Sequence, residues 1–84
     1  MSMEILNMRD LGKAVRMERK ARGLTQSDLA KNASVTRQTI IHIENGNDSS
    51  SFTLMKILRS MGCCFEIRPV APDFTQLGRL LDET

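Results

Sequence analysis

The sequence is poor in several residue types that carry chemistry. It holds a single histidine, His42, and only two cysteines, the neighbours Cys63 and Cys64, with no Cys-x-x-Cys spacing. No zinc ligand set can be assembled from so few donors by ordinary spacing, so no metal is expected. Adjacent residues on a strand point to opposite faces, so the two thiols are expected to stay reduced rather than bridge each other. No apolar run reaches eighteen residues, which excludes a helical transmembrane span. The start, MSMEILNMRD, has no basic stretch followed by an apolar core, so it does not look like a signal peptide, and a cytoplasmic location is expected. Glycine-rich phosphate loops, paired carboxylates and a nucleophile beside a base are all absent. Eighty-four residues leave little room for a cleft. Neither catalytic residues nor a cofactor are expected, and the reading is that the chain is not an enzyme. Internal repeats and low-complexity stretches are missing too.

What is present begins with charge. The net +2 hides an asymmetry, with +4 over residues 1–62 and −2 over residues 63–84. Lys13, Arg16, Arg19, Lys20 and Arg22 crowd one short segment. Such a patch suits a polyanion, although a solvated helix face has the same composition.

Periodicity and caps predict four helices. Leu11, Ala14, Val15 and Ala21 recur at helical spacing over residues 8–22, with Asn7 and Asp10 as a capping pair and Gly23 as the stop. Thr25 caps a second helix over 26–32, with Asp28 at its positive end. Thr36 caps a third over 37–45, which ends at Asn45-Gly46. After the polar run from Asn47 to Ser51, a fourth helix over 52–61 offers Phe52, Met55, Ile57, Leu58 and Met61 as apolar contacts and ends at Gly62. The period then changes to two. CCFEIRPV sets Cys63, Phe65 and Ile67 against Cys64, Glu66 and Arg68, as a strand does, and Pro69 confines that strand to an edge or to its own end. A lone strand leaves its backbone groups unpaired. Its expected partner is the same strand of a second copy, which predicts a two-fold homodimer. Pairing with Glu4-Ile5-Leu6 is the rival. The tail, APDFTQLGRLLDET, aligns Phe74, Leu77, Leu80 and Leu81 if helical, but Gly78 and the chain end weaken such a helix. The organisation expected is therefore a domain over 1–62, a dimerisation strand over 63–70 and a possible partner-binding tail over 71–84.

The stretch LTQSDLAKNASVTRQTIIHIENG, Leu24 to Gly46, concentrates the function. Two short helices meet where the small Ala30 lets them cross, and Val35, Ile40 and Ile43 face inward at intervals that bury one side. The other side displays Arg37, Gln38, Thr39 and His42. A helix-turn-helix puts such a second helix into the major groove, N-terminus first. The stretch resembles the Cro/CI-like (Xre) regulators, whose pattern runs Leu-Thr-Gln, Leu-Ala, a small-residue turn and Ile-x-x-Ile-Glu-x-Gly. The resemblance covers residues 8–62. It departs at Ser34, where the family usually has glycine and where some strain is therefore expected, and at Ile41, apolar where the family often has a polar residue. With LGKAVRMERKARGLTQ ahead and LRSMGCCFEIRP behind, the chain is most similar to HipB-type antitoxins.

The resemblance implies an all-α, four- to five-helix lambda-repressor-like DNA-binding domain with a short C-terminal β-strand for dimerisation. It also implies a homodimer on double-stranded DNA at a palindromic operator, autorepression of its operon and a HipA-type kinase toxin as partner. A stand-alone Xre regulator is the alternative. Chemically, Arg37 can fork onto guanine and Gln38 onto adenine, and His42 can reach a base or a phosphate. Thr39 suits a base or phosphate contact. Gln26, Thr36 and Asn45 match positions that the family uses for phosphate. Gln26 and Thr36 also stand at helix N-termini, which attract anions. Arg19 and Glu44 match the family's internal salt bridge. Lys13, Arg16, Lys20 and Lys56 are expected to add diffuse attraction.

Overall fold

Each helix starts on a side chain that the sequence supplies for the purpose. In the computed structural model, which describes residues 4–69, the order is α1 Met8–Ala21, α2 Gln26–Ala33, α3 Arg37–Glu44 and α4 Ser51–Ser60. Asn7 Oδ1 accepts from the Asp10 amide at 2.8 Å, Thr25 Oγ1 from Asp28 at 3.0 Å, Thr36 Oγ1 from Thr39 at 3.1 Å and Ser50 Oγ from Thr53 at 3.1 Å. At α2 the cap is reciprocal, because the Asp28 carboxylate accepts from the Thr25 amide at 3.0 Å. That bond holds the Asp28 carboxyl below its ordinary value of 3.8.

The helices also share one kind of ending. Two backbone bonds close each last turn: Leu24 and Gly23 donate to Arg19 and Lys20 after α1, and Cys63 and Gly62 donate to Leu58 and Arg59 after α4. After α3 the pair is Asn47 to His42 and Gly46 to Ile43; after α2 it is Val35 to Ala30 and Ser34 to Lys31. This double closure needs a residue with positive φ. Glycine fills that place three times, and Ser34 fills it at φ 57°. The strain expected at Ser34 is therefore seen as a left-handed backbone.

Helices of eight to fourteen residues do not hold by propensity alone, so packing must fix them. Val15, Leu29, Ile40, Ile43 and Ile57 are almost wholly buried at the centre, and Ala30 and Ala33 let α2 and α3 approach. α3 packs on both α1 and α2, and α4 packs on α2. The phase of α4 differs from the sequence expectation. Leu54, Ile57 and Met61 enter the core, whereas Phe52 and Met55 are exposed. Similarly, Ala21 is exposed rather than part of the buried stripe of α1.

Residues 63–69 form no strand in this single chain, and no ladder joins them to Glu4-Ile5-Leu6 among the described residues. Ile5 and Phe65 instead face a shared apolar groove over α1 and α4, floored by Leu11, Val15 and Met61. Val70 and the tail with Phe74, Leu77, Leu80 and Leu81 lie outside the described residues. Among the described residues no helix is long and apolar enough to cross a membrane, and no cluster of His, Cys, Asp or Glu could hold a metal ion.

Candidate nucleic-acid interface

The inner face of α3 is fixed by three attachments. Ile40 and Ile43 are fully buried. Gly12 of α1 lies directly against the carbonyls of Ile43 and Glu44, where any β-carbon would collide with backbone. Arg19 then reaches across from α1: its Nε donates to Glu44 Oε2 at 2.7 Å, its Nη2 to Glu44 Oε1 at 3.0 Å and its Nη1 to the Leu24 carbonyl at 2.8 Å. Both side chains are nearly buried, at 8% and 4% exposure. A two-pronged bond of this kind fixes direction as well as distance. The bond to Glu44 raises the Arg19 pKa above its ordinary value, against the opposing pull of burial. Arg19 is thus committed to the fold and adds nothing to the outer charge.

Gln26 belongs to the same cluster. Its Nε2 donates to Glu44 Oε1 at 3.2 Å, so its amide is engaged within the protein at the start of α2. Among the described residues no buried side-chain nitrogen or oxygen lacks a partner. The inner face of α3 is chemically satisfied.

The outer face is not. Arg37, Gln38, His42 and Asn45 are exposed, and none of their side chains makes a hydrogen bond or ion pair among the described residues. At about 100° per residue, Gln38, His42 and Asn45 fall within about 60° of arc, with Arg37 beside them at the helix start. The first turn of α3 holds no acidic residue, so its positive end is left unneutralised. Thr36 and Thr39 are joined by their hydroxyls at 2.9 Å while Thr36 caps the helix, and Thr39 is half-buried. Asn45 ends the helix as its C-cap.

The basic residues divide into two sets. Arg22 pairs with Glu18 at 2.8 Å and approaches Cys63 Sγ at 3.8 Å, and the Glu18 bond raises its pKa. Arg9, Lys13, Arg16 and Lys20 are exposed and have no ion pair among the described residues. Helical spacing sets those four within about 60° of arc, along one stripe of α1. Lys56 has a role within the fold besides its charge. Its Nζ donates to the Ser34 carbonyl at 3.3 Å and lies 5.2 Å from the Phe52 ring centre, so it braces the end of α2.

Of the three residues expected on the dimer strand, Cys63 is half-buried against the core, with its Sγ within 3.7 Å of the Met61 carbonyl. Phe65 is 43% exposed and Ile67 fully exposed. Sequence reasoning did not single out Gly12 or the engagement of Gln26, because both depend on contacts between helices far apart in the chain. A glycine on the buried stripe of a predicted helix was the one available signal for the first.

A helix-turn-helix family model matches residues 15–64. An uncharacterized HTH-type transcriptional regulator of Methanothermobacter thermautotrophicus is 49% identical over 49 residues, 57% of this chain and 71% of that protein. The competence pilus inhibition repressor of Acinetobacter baylyi is 33% identical over 76 residues, covering 88% of this chain and 69% of the relative. Among solved structures, HipB in complex with an O4 20mer superposes with a TM-score of 0.74 at 29% identity, over 81% of this chain and 97% of that one. HipB in a HipA–HipB–O2–O3 complex gives 0.73 at 29% identity, over the same shares.

Proposed function

The chain belongs to the helix-turn-helix family and is a DNA-binding transcriptional regulator of the Cro/CI-like (Xre) type; we propose that it is a homodimeric autorepressor and antitoxin of the HipB kind. One observation carries the DNA reading. Among the described residues every buried polar side chain is paired, while Arg37, Gln38, His42 and Asn45 project unpaired from a helix whose start is unneutralised. Arg37 and Gln38 offer bidentate bonds to guanine and adenine, each worth about 1–3 kcal/mol of discrimination, and His42 reaches a base one turn on. Thr39 serves as a base or phosphate contact. Thr36 and Asn45 hold phosphate at the two ends of α3. Gln26 can do so only through the part of its amide that Glu44 does not occupy. Arg9, Lys13, Arg16 and Lys20 supply attraction without registration.

Dimerisation is supported by the exposed Phe65 and Ile67 on a segment that has no strand partner among the described residues. Pairing of this segment across a dyad would satisfy its backbone and place two α3 helices about 34–36 Å apart, one turn of DNA. The testing experiment is a footprint on selected duplex DNA. Protection with two-fold symmetry and a spacing of one helical turn is expected, and an asymmetric footprint counts against the dimer. Deleting residues 63–84 should then weaken self-association. A truncated protein that remains a tight dimer moves the interface to α4.

The toxin partner is supported by the likeness to HipB seen in a complex with HipA. Co-purification from native cells should bring down a kinase of that type. A stand-alone repressor is the second reading, favoured by the likeness to the Acinetobacter repressor over most of the chain. It gains if residues 71–84 can be removed without loss of any partner.

A further inference from the structure

Ile41 stands out on α3 because its chemistry does not match its place. The inner face of the helix is already filled by Ile40 and Ile43, both fully buried. Ile41 is half-buried, yet the partly buried apolar side chains that pack on the core are Met8, Val35 and Cys63, and Ile41 is not one of them. Helical spacing puts it one turn after Arg37, one turn before Asn45 and beside Gln38, which is to say among the unpaired polar groups. A branched side chain at this point is not wholly covered by the protein itself. Its rigidity has a use, because a β-branched residue in a helix is held to one rotamer and loses little freedom on docking.

The major groove offers one apolar feature at base-pair level, the C5 methyl group of thymine. We infer that Ile41 reads a thymine methyl and so determines specificity at one position of each half-site. This rests on the DNA-binding reading and adds the base class that the polar residues do not cover. The geometry also favours a local rule. Gln38 suits adenine, and a rigid apolar group beside it suits a thymine within the same or the adjoining A·T pair.

The test starts from the intact protein and a randomised duplex library, from which a preferred site is selected. Each thymine of that site is then replaced in turn by deoxyuridine, which removes only the methyl group. The intact protein should lose about four-fold in affinity at one thymine per half-site, the worth of one methyl taken out of contact. Ile41→Ala should bind the thymine duplex about four-fold more weakly and should not distinguish thymine from uracil at that position. Ile41→Gln, which keeps a side chain of similar reach, should choose a different base there. The inference is overturned if no thymine matters to the intact protein, a result that needs no variant to fold. It is overturned equally if Ile41→Ala keeps the whole uracil profile, since the sensitive thymine then belongs to another side chain such as Thr39. A library that yields no preferred site overturns the DNA reading itself, and the role of Ile41 with it.

Discussion

The two faces of α3 differ more than any two regions of this molecule that lie so close together. On one face Glu44 receives two bonds from Arg19 and one from Gln26, Gly12 admits α1 to backbone contact, and two isoleucines are sealed from water. On the other face the side chains of Arg37, Gln38, His42 and Asn45 bond to nothing among the described residues. An eight-residue helix cannot hold its own shape in water. The attachments on the first face are therefore what make the second face rigid, and a rigid donor array loses less entropy on binding than a floppy one. On the proposed reading, stability and recognition fall to different residues of one short helix, so substitutions should separate them.

The largest effect is expected from the inner face. Glu44→Ala leaves the Arg19 guanidinium nearly buried with only the Leu24 carbonyl, and should cost about 3 kcal/mol in urea unfolding. Loss of DNA binding should follow from loss of the fold. Gly12→Ala forces α1 away from α3 and should cost about 2 kcal/mol, read the same way. If either variant is as stable as the parent, the contrast between the faces collapses. Gln38→Ala should do the reverse, leaving the unfolding midpoint within error while relaxing base choice at one position by roughly 1–2 kcal/mol. Lys20→Ala should weaken all duplexes alike and lower the salt slope by about one, which would show that the stripe on α1 contributes charge rather than choice. The smallest effect concerns pH. The Asp28 carboxyl is held below 3.8 by its bond to the Thr25 amide, so its contribution is complete above that pH and lost as pH falls further. Asp28→Asn should remove that part of the acid sensitivity, and the two proteins should converge in stability at the lowest pH.

Local chemistry was legible in the sequence, and long-range contact was not. Asn7, Thr25 and Thr36 were readable as caps because a cap acts within three residues, and each helix boundary fell within one residue of its expected place. The pairing of Ile40 and Ile43 followed from spacing alone. By contrast, α4 has apolar residues on more than one side, so spacing did not reveal that Leu54 is buried and Phe52 and Met55 exposed. Lys56 reads as one more surface cation until the fold brings the Ser34 carbonyl to it. Gln26 reads as a free amide until Glu44 arrives from eighteen residues away. In the candidate site the outward residues were visible as types, but their freedom from internal partners could be known only once the inner face was placed.

Ser34 bears on how the molecule moves. The other three helix ends use glycine for the left-handed step, and this one holds a serine there with its carbonyl tied to Lys56. A side chain in that conformation costs about 1–2 kcal/mol, partly returned because glycine is freer when unfolded. Ser34→Gly should accordingly stabilise the protein by about 0.5 kcal/mol. In the native protein the same imbalance should make the turn between α2 and α3 open more readily than the glycine-closed turn after α3. The amide protons of Ser34 and Val35 should therefore exchange with solvent deuterium sooner than those that close the last turn of α3.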